Sequence, residues 1–158
     1  MANDITYLKG DATAPQGEGT KIIAHICNDV GIWSQGFVLA LSQKWPLSEK
    51  SYLGWSNSGN YFGLGEIQLV PAQNDLFIAN MIAQTDILPA PDGTPPIRYE
   101  ALEKCLQKLA QGAIAAHATI HMPRIGYGLA GGNWEHIEPL IQKVLIDQGL
   151  SVFVYDLS

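Results

Sequence analysis

Charge is scarce in this chain of 158 residues. Asp, Glu, Lys and Arg make up 15% of it, against about a quarter in an ordinary globular protein. That excludes a disordered segment, a coiled coil and a long solvated helix, all of which are built on charged residues. Basic residues are the scarcer kind: nine Lys and Arg stand against 15 Asp and Glu, for a net charge of −6. A nucleic-acid groove needs a clustered basic stripe to neutralise phosphates, and these nine are scattered, so no such groove is expected. Cysteine is nearly absent. Cys27 and Cys105 lie far apart, without the spacing of a disulfide framework or a zinc site, and neither a metal nor a cofactor is expected. No apolar run approaches the roughly 18 residues that span a bilayer, and no basic-then-apolar leader opens the chain. The expectation is a soluble cytoplasmic protein with no membrane partner.

What the chain does contain is apolar and flexible: 47% hydrophobic residues and 16 glycines. Its length reads as one domain over 1–158, long enough to bury a core of its own. Apolar runs alternate with stretches of helical period. Ile5 to Lys9, Lys21 to Ile26, Glu66 to Val70, Leu76 to Ile82, Thr119 to Pro123 and Ser151 to Tyr155 read as strands. Helices are expected over Phe37 to Trp45, stopped by Pro46, and over Leu47 to Trp55, with loops at Ser56 to Gly65 and Pro89 to Pro96. Tyr99, Leu102, Leu106, Leu109 and Ala113 step by three and four, one stripe of an amphipathic helix. A last helix starts near Trp134, and Pro139 predicts a kink or a late start in it. Strands interleaved with helices predict an α/β fold, a mixed sheet covered by helices on both faces.

In such sheets ligands bind beyond the carboxyl ends of the strands, so the residues after each strand matter most. After the first come Gly10-Asp11-Ala12. Asp11 either accepts a hydrogen bond from an amine or ribose hydroxyl of a ligand, or caps its own turn. After the second come His25-Ile26-Cys27-Asn28-Asp29 and then Gly31 to Phe37, a small-residue loop opening into a helix, where backbone amides can hold a phosphate. Asn28 either meets a sugar hydroxyl or braces the loop. After the fifth comes Gly126-Tyr127-Gly128-Leu129-Ala130-Gly131-Gly132-Asn133, four glycines in seven residues before an Asn N-cap. This pattern predicts close backbone approach to a diphosphate. Two such loops on one sheet edge would grip a diphosphate with amides alone, in keeping with the acidic charge. Tyr155 and Asp156 end the last strand, at a base pocket or on ordinary surface.

Four segments, in order, resemble the macrodomain family: Asp4 to Thr13, with its Gly10-Asp11; His25-Ile26-Cys27-Asn28 through Gly36; Pro123-Arg124-Ile125-Gly126-Tyr127-Gly128-Leu129 with Trp134-Glu135; and Val154-Tyr155-Asp156-Leu157. The resemblance covers nearly the whole chain and implies a three-layer α/β/α fold with a sheet of roughly six strands. It implies binding of ADP-ribose or a derivative. The adenine amine would lie at Asp11, beside Ala12, and the distal ribose at Asn28. Ser34, Gln35, Gly36 and Phe37 would hold one phosphate, and Gly126, Tyr127, Gly128, Leu129 and Ala130 the other. Tyr155 or Asp156 would flank the adenosine. Two branches are similar, the ADP-ribose 1''-phosphate phosphatases and the enzymes that remove ADP-ribose from glutamate. The second branch works through a lysine and an aspartate, and this chain has Gln84 and Ala130 at those positions. Two readings follow. One is a hydrolase of an ADP-ribose ester such as ADP-ribose 1''-phosphate, with His25 as general base and Asn28 beside it. The other is a non-catalytic module that reads ADP-ribose or an ADP-ribosylated protein.

Overall fold

The computed structural model describes residues 4–34, 36–126 and 130–157. The elements run β1 (Thr6–Lys9), β2 (Lys21–Asn28), α1 (Phe37–Lys44), α2 (Pro46–Ser58), β3 (Ile67–Gln73), β4 (Leu76–Gln84), α3 (Tyr99–Ala116), β5 (Thr119–Met122), α4 (Trp134–Val144), a short 3-10 helix (Ile146–Gln148) and β6 (Val152–Asp156). One six-stranded sheet has the order β1-β6-β5-β2-β4-β3. All neighbouring pairs are parallel except the antiparallel β3–β4 edge. Five strands therefore end on one edge of the sheet. The mixed α/β sandwich implied by the resemblance is what the chain forms.

Strand side chains alternate between faces, and the long central strands show what each face meets. Ile22 and Ala24 of β2, with Ala79, Met81 and Ala83 of β4, pack with Leu102, Leu106 and Leu109 of α3 and Ile137 and Ile141 of α4. Ile23 and Cys27, with Ile78 and Ile82, pack with Leu41 of α1 and Tyr52 of α2. The near-continuous apolar runs follow from this, because a central strand covered by helices on both sides has no polar face.

β2, β3 and β4 run two to three residues past their expected ends, to Asn28, Gln73 and Gln84, and the helices need adjustments of their own. α2 reaches Ser58 and is closed by Gly59 in the left-handed conformation, which takes in residues expected in the loop. Pro46 begins α2 as well as stopping α1, since a proline at the first helical position gives up an amide that has no partner anyway. α4 starts at Trp134 and runs through Pro139 without a break, so the late start does not occur. Tertiary packing of Ile137, Ile141 and Val144 offsets the one hydrogen bond that the proline removes.

Candidate functional site

At the shared edge β2 gives way to a loop that Asn28 organises. Its Oδ1 accepts hydrogen bonds from the amides of Val30 and Ile32 (both 3.1 Å) and from the Tyr52 hydroxyl (2.8 Å). Its Nδ2 donates to the Ile32 carbonyl at 2.7 Å. Asn28 thus braces the loop, the local role of a buried Asn at a strand end, and one of its two Nδ2 hydrogens is left over. Asp29 ties this loop to the next strand end. Its carboxylate accepts from the Thr85 hydroxyl and the Asp86 amide, both at 2.8 Å, and Asp86 takes a left-handed φ of 59° there. Between the two loops lies a cavity of about 170 Å³ lined by Cys27, Asn28, Ile32, Trp33, Ser34 and Val38 on one side and Gln84, Ile87 and Leu88 on the other.

α1 starts at this cavity with its N-terminus open. Its N-cap is Gly36, at φ 77°, with no side-chain cap and no acid in the first turn. A Cβ added at Gly36 would meet nothing within 4 Å. The first amides of a helix have no intrahelical acceptor, and with the positive end of the helix dipole they suit an anion. α4 is different. Its N-cap, Asn133, accepts the Glu135 amide at 2.9 Å, and Glu135 places an acid in the first turn. This end is already satisfied.

The glycines of the second loop also differ from expectation, which assigned them to close approach of a ligand. A Cβ on Gly126 would run into Ile97 and Ile137, one on Gly131 into Pro95, and one on Gly132 into the carbonyl of Gly126. These three are small because the protein packs against them. Tyr127, Gly128 and Leu129, like Gln35, lie outside the described residues. Ala130 is 7% exposed, and its carbonyl accepts the Ile97 amide at 3.0 Å.

His25 is not in the cavity wall. It is 2% exposed, its Nε2 bonds to Asn80 Oδ1 at 2.5 Å, and its ring lies edge-on to Trp33 with centroids 5.5 Å apart. Burial lowers its pKa to about 4, against the weaker opposing effect of the Asn80 bond. The structure therefore places the expected base in the core, as a neutral histidine holding β2 to β4. Asn80 passes the contact on, donating to Gln68 Oε1 at 3.1 Å and to the Ser48 carbonyl at 3.3 Å. Neither link was legible in the sequence, where Asn80 sits unmarked in an apolar run. Cys27 is no readier for chemistry, since burial pushes its thiol up.

At the β1 and β6 end the picture is similar. Asp11 Oδ1 accepts from the amide and the hydroxyl of Thr13, both at 2.8 Å, which holds its pKa below the usual carboxylate value. This is the turn-capping alternative. Ala12 is buried. Tyr155, expected beside an adenosine, is 3% exposed. Its hydroxyl accepts the Gln16 amide and bonds to His121 Nδ1, both at 2.8 Å. Its ring is core, whereas Asp156, at the end of β6, is half-buried. There it forms a two-pronged pair with Arg124, at 2.7 and 3.0 Å, and the Arg124 guanidinium sits over the rings of Tyr7 and Trp134 at 4.9 and 5.3 Å. Of the first-loop residues, Ser34 and Gly36 are exposed and Phe37 turns its ring toward His25 at 6.0 Å. Gln84 lines the cavity and donates to the Asp86 carbonyl at 2.9 Å.

A larger hollow of about 500 Å³ lies at the opposite ends of β2 and β4, lined by Glu18, Lys21, Trp45, Gln73 and Asp75 among others. Two of its donors bond within the protein. Lys21 Nζ bonds to the Gly19 carbonyl and Trp45 Nε1 to Gln73. Among the described residues no group of three or more His, Cys, Asp and Glu is placed to hold a metal ion, and no helix is long and apolar enough to cross a membrane.

No family model matches the chain. Comparison with individual proteins is more informative. A Bacteroides thetaiotaomicron structure described as a protein of unknown function is 52% identical, with a TM-score of 0.98 over 99% of this chain and 100% of that one. Among curated proteins the chain aligns with mouse chromodomain-helicase-DNA-binding protein 1-like at 28% identity, spanning 18% of that protein's length. It also aligns with the Lodderomyces elongisporus ADP-ribose 1''-phosphate phosphatase at 25% identity, over 96% of this chain and 99% of that one. The macrodomain protein of Streptomyces coelicolor is 44% identical with a TM-score of 0.85, over 98% of this chain and all of that one. With the sheet order, the open α1 terminus and the motifs in place, the chain belongs to the macrodomain family.

Proposed function

We propose that this protein binds ADP-ribose or a derivative across the edge where five strands end, with a phosphate at the start of α1. The observation that carries the reading is the uncapped N-terminus at Gly36, opening beside a cavity that Asn28 and Trp33 line. Acidic net charge does not oppose it, because amides and a helix dipole hold the anion without lysine. Asn28 would turn its remaining amide hydrogen to the distal ribose, and the exposed carboxylate ends at Asp11 and Asp156 would face the adenosine half.

Hydrolysis of an ADP-ribose ester is the second reading, favoured by the full-length alignment to a protein named ADP-ribose 1''-phosphate phosphatase. Against it, the described lining of the cavity holds no carboxylate, lysine or histidine, and general-base chemistry needs such a group within reach. The lining favours the binding module, whose partner would be ADP-ribose or an ADP-ribosylated protein.

Calorimetry with ADP-ribose tests both. Saturable binding is expected, and its absence at millimolar ligand would remove both readings. Ser34→Glu places a carboxylate at an exposed position beside the start of α1. It is expected to weaken binding at least about tenfold at low salt while leaving the unfolding midpoint unchanged. Phosphate release from ADP-ribose 1''-phosphate by the wild-type protein would move the conclusion to the hydrolase.

A further inference from the structure

Trp33 is 8% exposed, and among the described residues its indole Nε1 is the buried side-chain polar atom that has no hydrogen-bond partner. Such a group is uncommon, because leaving a buried donor unpaired costs much of its desolvation. Neither ring beside it takes a hydrogen bond from Nε1. His25 directs Nε2 to Asn80. The Tyr52 hydroxyl donates toward the carbonyl and side chain of Asn28, at 2.7 and 2.8 Å, and takes no bond from the indole. The other tryptophans show the contrast: Nε1 of Trp45, Trp55 and Trp134 bonds to Gln73, Asn60 and Tyr7. Only Trp33 borders the cavity between the β2 and β4 loops.

We infer that Trp33 is a specificity-determining residue whose indole N–H is kept for an acceptor oxygen at the distal-ribose end of the ligand. The inference rests on the ADP-ribose reading and sharpens it. The cavity wall is apolar at Ile32, Val38, Ile87 and Leu88, and Asn28, Trp33, Ser34 and Gln84 are the residues of its lining that carry N–H or O–H donors. Each of these four can donate, and none is a cation. The wall thus matches a neutral group rich in acceptors, and a ribose fits where a second phosphate would have no counter-charge. Discrimination follows, because a ligand lacking that sugar leaves the buried donor as unsatisfied as it is in the free protein.

The test compares wild type and Trp33→Phe, which keeps an aromatic ring and removes the donor, against ADP-ribose and ADP by calorimetry. The variant is expected to bind ADP-ribose about five- to tenfold more weakly and ADP within about twofold of wild type. Equal weakening toward both ligands, or none toward either, overturns the assignment. Wild-type protein that binds neither nucleotide overturns the ADP-ribose reading itself. A second measurement avoids the substitution: with ¹⁵N-labelled tryptophan, the Trp33 indole proton of wild type should move downfield on adding ADP-ribose and stay in place with ADP. An unmoved resonance in protein saturated with ADP-ribose overturns the inference.

Discussion

Glycine in this protein has several jobs, and they separate only when each position is seen with its neighbours. Gly132 has no room for a side chain, because an added Cβ would press on the backbone carbonyl of Gly126, which also accepts the Gly132 amide at 2.7 Å. Gly54 lies on the exposed side of α2 with nothing within 4 Å of an added Cβ. The same substitution should therefore have opposite signs. Gly132→Ala is expected to destabilise by about 2–3 kcal/mol through overpacking. Gly54→Ala should stabilise by roughly 0.5–1 kcal/mol through reduced backbone entropy in the unfolded chain. Urea unfolding of the two variants reads both, and a stabilising Gly132→Ala would mean that the loop is not packed as described. Composition alone could not have made this distinction, since both residues count equally among the 16.

Elements are placed at the site by polar links that cross between them. Asp29, at the end of β2, holds the turn after β4 by two hydrogen bonds. The turn includes the left-handed Asp86, a conformation that L-residues other than Asn and Asp adopt only at some cost. Removing the carboxylate should free this turn without unfolding the sheet beneath it. For Asp29→Ala, amide exchange in the segment 85–88 is expected to accelerate at least about tenfold while the amides of the β4 core keep their protection. Exchange that is unchanged at 85–88, followed by mass spectrometry, would show that the turn holds itself. The two helix starts make a related point. Each follows a glycine-rich loop in the sequence, yet α4 is capped by Asn133 and α1 is not capped by a side chain. A polar N-cap satisfies one of the open amides at a helix start, and a glycine N-cap leaves them to water or a ligand.

For the molecule as a whole, two buried histidines set a limit on acid stability. His25 and His121 are 2% and 0% exposed, and burial, opposed by the Asn80 bond at His25 and helped by the Lys21 charge at His121, brings each from 6.5 to about 4. In the unfolded chain both regain an ordinary value, so between those pH values the unfolded state binds more protons and stability rises with pH. The contribution is complete above about pH 6.5 and is lost as pH falls toward 4. It amounts to on the order of 3 kcal/mol for each histidine. Unfolding free energies should therefore fall between pH 7 and 4.5, and His121→Phe should flatten the slope. A wild-type curve that is level across this range would show that both rings titrate normally.

Patterns of two and 3.6 residues, read with Pro46 and the Gly-rich turns, were enough to determine the strands, the helices and the α/β class. They could do so because these features depend on local sterics and on which residues avoid water. Side-chain direction at the strand ends was decided by tertiary structure alone. His25 and Tyr155 looked like site residues because they end or near the end of strands, yet β2 and β6 carry them into the core, where Asn80 and His121 meet them. Trp33 could be read as a cover for a ribose or phosphate or as packing, but neither its unpaired indole nor the role of Asn80 was legible, because the partner that a polar atom finds or lacks comes from chain segments tens of residues away. Whether a glycine serves a ligand or a neighbour is of the same kind: it depends on the atoms that stand against it, and folding alone brings those atoms there.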